Sequence, residues 1–323
     1  MADLTYIEAI RTALREELAH DASVYVLGED VALGGPFGAT RGLAEEFGER
    51  RIVNTPISEG AVMGIATGAA ALGLRPVVEV MYADFITLAM DQLVNHAAKL
   101  HYMSGGQLAI PLTVRVQQGA VGASGAQHSQ SLEAWFMHVP GLKVVMPATP
   151  ADAKGLLKSA IRDPNPVIFI EHRALYWTRG ELADGEALVP IGRAAVVRSG
   201  KHATVVATSR LVGVALEAAD ELAREGVELE VVDPRSILPL DVETIAASVR
   251  KTSRLVIAHE AVETGGFGAE LATRVQEVAF DYLDAPIERV AAPFAPVPAG
   301  PTLERAFIPG KDHVMAAVRR TLA

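Results

Sequence analysis

What most constrains this chain is the way the spacing of its apolar residues keeps switching. Ile7, Ile10, Leu14 and Leu18 recur at helical spacing, whereas the next apolar run, 24–27, is short, continuous and closed by Gly28. The same switch repeats. A helix is predicted over 61–72, a strand over 77–81 introduced by Pro76, and helical spacing returns over 85–100. Runs at 112–116, 144–146 and 167–171 read as strands, with a helix over 151–162 between the last two. Strands that alternate with helices and are apolar throughout predict an α/β fold whose mainly parallel sheet is covered on both faces.

The pattern lapses over 176–192, a charged stretch with Gly and Pro, and then resumes. Strands are expected at 204–207, 229–232 and 255–258, with helices at 211–225, 242–249 and 267–280. A length of 323 residues suits two domains at roughly 150 residues each. They are placed at 1–180 and 192–323, joined by a linker at 181–191. No short-period repeat is visible, and the Pro-rich piece 293–301 reads as a surface crossing.

Composition removes several function classes. Half of the residues are hydrophobic, enough for buried cores and too many for intrinsic disorder. The 39 acidic side chains outnumber the 29 basic ones, and a net charge of −10 repels phosphate backbones, so nucleic-acid binding is not expected. Without cysteine there are neither disulfides nor thiolate metal sites. The longest nearly unbroken apolar stretch, 61–74, is too short and too rich in Gly and Ala to span a bilayer. The opening Met-Ala-Asp-Leu-Thr shows no basic region followed by an apolar one, so a cytoplasmic protein without membrane attachment is expected.

Familiar catalytic patterns fail one by one. Lys201 and Lys311 follow glycine but lack the rest of a phosphate-binding loop. The run His259-Glu260-Ala261-Val262-Glu263 ends in Glu where a zinc protease needs His, so His259 is read as structural. Gly122-Ala123-Ser124-Gly125 has the wrong spacing for a nucleophile elbow. Gly34-Gly35 and Gly265-Gly266-Phe267-Gly268 read as turns that also permit close approach of a ligand.

Two segments retain chemical interest. In Asn54-Thr55-Pro56-Ile57-Ser58-Glu59-Gly60, just before an apolar helix, Ser58 suits an N-cap and Glu59 the first turn. Alternatively, Glu59 is a carboxyl isolated among apolar neighbours, suited to carrying a proton. The second segment is the polar loop Gly122 to Ser131, which follows a predicted strand and therefore belongs at the end of a parallel sheet where ligands bind. His128 within it is either a solvated surface residue or a proton carrier. His96, His101 and His138 have core-like neighbours and are given no chemistry.

Taken together, these stretches resemble the beta subunit of the thiamine-diphosphate-dependent 2-oxoacid dehydrogenase family along nearly the whole chain. The resemblance is carried by Gly28-Glu29-Asp30, Thr55-Pro56-Ile57-Ser58-Glu59, Tyr102-Met103-Ser104-Gly105-Gly106-Gln107 and Ala126-Gln127-His128-Ser129-Gln130-Ser131. It continues in Pro140-Gly141-Leu142-Lys143-Val144-Val145, Asp152-Ala153-Lys154-Gly155-Leu156-Leu157, Asp233-Pro234-Arg235, Pro239-Leu240-Asp241 and His259-Glu260. It implies a first domain that binds the aminopyrimidine ring of thiamine diphosphate and a second domain like the transketolase C-terminal domain.

On that resemblance Glu59 hydrogen-bonds ring nitrogen N1′, with Ile57 and Phe85 also at the ring, and His128 lies near the reacting carbon to orient substrate or the lipoyl group. Glu59 thereby favours the imino tautomer, which removes the proton from the thiazolium. The family's Gly-Asp-Gly segment for diphosphate and magnesium is missing here. The cofactor site is therefore expected to be shared with an alpha subunit that holds Mg2+, in an α2β2 heterotetramer serving a dihydrolipoyl acyltransferase and its lipoyl domain. A structural potassium ion is implied at the backbone carbonyls of Leu112, Ala160, Ile161, Asp163 and Asn165. The implied reaction is oxidative decarboxylation of pyruvate or a branched-chain 2-oxoacid, an oxidoreductase activity on an oxo group with lipoyl as acceptor. Glu171-His172-Arg173-Ala174-Leu175-Tyr176 resembles the acetoin dehydrogenase branch, and a non-catalytic scaffold docking the acyltransferase is a further alternative.

Overall fold

The computed structural model describes residues 2–182 and 186–323. The chain forms two compact units. The first comprises Met1–Gln118 with Trp135–Ile191, and the second Gly119–Ala134 with Gly192–Ala323. Of the expected linker, residues 183–185 lie outside the described residues, while Val189 and Ile191 pack against the core of the first unit.

Strand β1 (Ala2–Thr5) leads into α1 (Tyr6–His20), β2 (Val24–Gly28), α2 (Leu43–Phe47), β3 (Ile52–Asn54), α3 (Glu59–Ala71) and β4 (Arg75–Val80). Then come α4 (Ala83–Ile86), α5 (Ala98–Met103), β5 (Thr113–Gln118), α6 (Glu133–Met137), β6 (Lys143–Val145), α7 (Pro150–Arg162), β7 (Val167–His172) and β8 (Arg179–Leu182). In the first unit six strands run parallel in the order β6-β7-β5-β4-β2-β3. Their residues are buried almost without interruption, as expected of strands covered on both sides. The helical spacing over 85–100 is realised in pieces, because a 3₁₀ turn (Thr87–Ala89) and a π-helical stretch (Asp91–Ala97) separate α4 from α5.

Two helices on one face show how this unit is held. Thr5 caps α1 in a reciprocal capping box with Glu8, and Thr149 caps α7, where Pro150 fits the first turn. The apolar stripe of α1, Ile7, Ile10, Leu14 and Leu18, packs in one core with Leu156, Leu157 and Ile161 of α7 and Phe169 of β7. Between the helices, buried Glu17 accepts two hydrogen bonds of 2.8 Å from Arg162.

The second unit contains β9 (Ala195–Arg198), β10 (Ala203–Ala207), α8 (Arg210–Arg224), β11 (Leu229–Asp233), the short β12 (Ser236–Leu238), α9 (Val242–Thr252) and β13 (Leu255–Val262). It closes with α10 (Phe267–Ala279), β14 (Glu288–Ala292), α11 (Pro301–Phe307) and α12 (Lys311–Leu322). Its sheet has the order β14-β13-β10-β11-β9, parallel except for β9, which runs antiparallel to β11.

His259 lies inside β13 with no exposed surface, and this explains the glycines that follow it. A Cβ on Gly266 would sit 2.6 Å from the imidazole, so the close approach read from this glycine segment is to an internal side chain and not to a ligand. Burial, reinforced by the Arg289 guanidinium, pushes the imidazole pKa down to about 4. The folded form therefore disfavours the proton that an unfolded histidine accepts near pH 6.5. Stability from this group is intact above pH 6.5 and falls as pH drops toward 4, by up to about 3 kcal/mol for one proton. Urea unfolding at stepped pH should show that loss, and His259→Gln should reduce it; an unchanged pH slope in the variant contradicts the assignment.

Candidate active site

Glu59 is the first residue of α3, directly after β3, so the parallel sheet delivers it to the carboxyl ends of its strands. Ser58 occupies the N-cap position but makes no side-chain cap bond. Glu59 and Gly28, Glu29, Thr55, Ile57 and Met81 lie along an open cleft, whose walls also include Pro56, Val62 and Val80. Ile57 is largely exposed there, and Glu59 is half-buried. The hydroxyl oxygen of Thr55 is buried in this wall with no protein partner, a polar atom left over for something in the cleft.

The cleft is acidic. Glu29, Glu59 and Glu79 line it, and none of its lining residues is basic. Burial, with the nearby carboxylates of Asp30 and Glu59, holds the Glu29 carboxyl above the usual range. An aminopyrimidine ring fits such walls, since Glu59 offers a proton partner and the apolar side chains offer flat contact. A diphosphate does not fit here.

Glu79 also belongs to a charge cluster with no signature in the sequence, which lines a neighbouring cavity together with Arg115, Glu171 and Tyr176. Arg115, in central strand β5, is directly opposite Glu79 of β4 in register. Its guanidinium donates to Glu79 at 2.5 Å and to Glu171 of β7 at 2.8 Å, and the Tyr176 hydroxyl donates to the other oxygen of Glu171 at 2.8 Å. Burial works against the charge on Arg115, but Glu171 and Glu79 outweigh it and push its pKa up. Burial raises Glu171 despite the opposing pull of Arg115, and it raises Tyr176 well above the normal phenol value. A Cβ on Gly35 would come within 2.5 Å of Glu79 Oε1, so the Gly34-Gly35 pair also accommodates an internal side chain. Nearby, the Arg173 guanidinium lies 5.8 Å from the ring centres of both Phe37 and Tyr82.

The other sequence-singled residues are placed as follows. Phe85, in α4, is half-buried and meets Tyr82 edge-on with ring centres 5.5 Å apart; it is not among the residues lining the cleft at Glu59. His128 belongs to the second unit, half-buried in the loop, with its backbone N–H donating to Gly125 O at 3.3 Å. Two of the five carbonyls named for potassium already face a cation, Arg75, whose Nη1 donates to Ile161 O at 2.9 Å and to Asp163 O at 3.4 Å. Leu112 O accepts from Val167 N–H at 2.9 Å, and Ala160 O from Asp163 N–H at 3.2 Å. Asn165 donates its backbone N–H to the Asp163 side chain. Each carbonyl oxygen keeps a second lone pair.

Among the described residues no helix is long and apolar enough to cross a membrane. Residues 2–178 match the transketolase pyrimidine binding domain, and 192–314 the transketolase C-terminal domain. The pyruvate dehydrogenase E1 component subunit beta-2 of rice mitochondria is 47% identical over 323 residues, covering 98% of this chain and 86% of that protein. The pyruvate dehydrogenase E1 component subunit beta of Rhizobium meliloti is also 47% identical, over 99% of this chain and 70% of its own length. The beta subunit of the acetoin:2,6-dichlorophenolindophenol oxidoreductase of Cupriavidus necator is 45% identical, covering 97% of this chain and 96% of that one. Among solved structures, a split-gene transketolase described as an inactive beta4 tetramer superposes with a TM-score of 0.80 at 25% identity, over 99% of this chain and 98% of its own. With both domains matched in order and nearly the whole of this chain aligned to each relative, the chain belongs to the beta-subunit family of the thiamine-diphosphate-dependent 2-oxoacid dehydrogenases.

Proposed function

We propose that this chain is the beta subunit of a 2-oxoacid dehydrogenase component which, together with an alpha subunit, decarboxylates pyruvate or a branched-chain 2-oxoacid and passes the acyl group to the lipoyl domain of a dihydrolipoyl acyltransferase. The observation that carries this reading is the acidic, apolar-walled cleft at Glu59, suited to a pyrimidine ring and unsuited to a diphosphate. Thiamine diphosphate, when bound, supplies the nucleophilic carbon and the electron sink. The alpha subunit of an α2β2 heterotetramer holds its diphosphate and Mg2+. In this chain Glu59 holds a proton at ring nitrogen N1′, while Ile57, and Phe85 on the strength of the resemblance, confine the ring. His128 donates a proton to the lipoyl sulfur that is released when the disulfide breaks and the acyl carbon bonds to the other sulfur. A potassium ion would be held by the backbone carbonyls of Leu112, Ala160, Ile161, Asp163 and Asn165, with the Arg75 guanidinium on two of them working against it. The location proposed is the cytoplasm.

A second reading is acetoin cleavage. It is favoured by two acetoin oxidoreductase beta subunits at 45% and 43% identity, each matched over 96% of its length. Arg173, beside Phe37 and Tyr82, belongs to the segment that resembles that branch. Turnover of the reconstituted complex on pyruvate, 2-oxoisovalerate and acetoin separates the readings, and no turnover on any of them favours the scaffold role.

For mechanism, Glu59→Gln should slow hydrogen–deuterium exchange at the reactive carbon of the cofactor by about 10²- to 10⁴-fold, with assembly intact. Near-normal exchange would sink the role of Glu59. His128→Ala should slow acyl transfer to a lipoyl domain while cofactor affinity stays close to that of the parent; an equal loss of both would show that the imidazole has only a structural part.

A further inference from the structure

We propose that Glu304 and Glu260 are positioning residues for the acyl-transfer step, because they fix the shape of the loop that carries His128. The inference rests on the role given to His128 above and adds how its imidazole is held in place.

All the groups concerned lie in the second unit. Glu260 of β13 is buried and accepts the backbone N–H of Ala120 at 2.7 Å, while its other oxygen is held by Arg210 Nη1 at 3.2 Å. Glu304 of α11, also buried, accepts the backbone N–H of Ala123 at 2.8 Å. Two carboxylates from different elements therefore grip one loop three residues apart. Hydrogen bonds of this charge-assisted kind are stronger than neutral ones and fix donor direction more tightly.

The loop needs such a grip. Gly122, Ala123 and Gly125 all adopt positive φ, at 70°, 57° and 77°. For Ala123, which is not glycine, that conformation is strained and persists only where its surroundings impose it. The N–H that Glu304 takes is the one on this residue. Two residues on, a Cβ at Gly125 would lie 3.3 Å from Ala299 Cβ, so the loop rests on the segment leading into α11 at a second point. The Gly125 carbonyl then accepts the backbone N–H of His128, which transmits the loop's shape to the imidazole.

Helix α11 itself points the same way. Among its residues only Glu304 is buried, and Leu303 stands 63% exposed. A helix whose one buried side chain is a carboxylate is explained by what that carboxylate holds.

The test uses the complex reconstituted with its alpha subunit, with whichever of pyruvate, 2-oxoisovalerate and acetoin it turns over. Reduction of 2,6-dichlorophenolindophenol reports the steps before acyl transfer, and acylation of a lipoyl domain reports the transfer. Glu304→Ala should slow acylation by about tenfold or more and leave dye reduction within about twofold. Glu304→Gln keeps an acceptor oxygen and should restore most of the rate. Arg210→Met, which removes one hold on Glu260 while leaving the loop's own sequence intact, should give the same selective loss at smaller size. Amides 120–128 should exchange faster with solvent in Glu304→Ala. Normal acylation in Glu304→Ala and Arg210→Met alongside slow acylation in His128→Ala overturns the positioning role alone. Equal losses in both assays with no rescue by Gln also overturn it. Normal acylation in His128→Ala instead removes the reading of His128 on which the inference stands.

Discussion

The candidate site depends on one buried guanidinium. Arg115 stands in the central strand of the first sheet with two carboxylates on it, and one of them, Glu79, also lines the cleft, so that wall is charged yet ordered. Stripping a partner from such a cluster leaves a buried charge uncompensated, at a cost of about 3–5 kcal/mol. Within this arrangement Glu79 is neutralised by Arg115, whereas Glu59 and Glu29 are not paired with a cation among the cleft's lining residues. The cleft's character follows. It suits a ring nitrogen that carries a proton and repels a diphosphate, which is the physical ground for assigning the rest of the cofactor to another chain.

Much of this architecture was legible in the sequence, and for an identifiable reason. Parallel strands buried on both faces read as unbroken apolar runs, and amphipathic helices such as α1 and α7 place their apolar residues at a fixed spacing. Where that signal thins, elements were overlooked. Strands β9 and β14 are partly exposed edges with mixed polarity. Helix α12 did carry a signal, since Val314, Met315 and Val318 fall at helical spacing and are buried.

The site was legible only in part. Glu59 and His128 each had a bland reading, a first-turn carboxylate and a solvated loop residue, and it was the family motifs around them that singled them out. Arg115 did not stand out, because a basic residue inside an apolar run acquires meaning only from Glu79 and Glu171, which are 36 and 56 residues away in the chain. The glycine segments were readable as turns, which the positive φ of Gly34, Gly35 and Gly265 bears out. Close approach is readable from glycine, but what approaches is not, and here Glu79 and His259 fill the space. The allocation of Gly119–Ala134 to the second unit was equally invisible, since it is made by carboxylates at 260 and 304 that lie far along the chain.

The most direct test of a divided cofactor site is a calorimetric titration of thiamine diphosphate with Mg2+ into this chain alone, into the alpha subunit alone, and into the two together. The account predicts tight binding, at least about a hundredfold stronger, only in the mixture, a gain of about 2.7 kcal/mol or more. Binding by this chain alone at the strength of the assembled complex would contradict it.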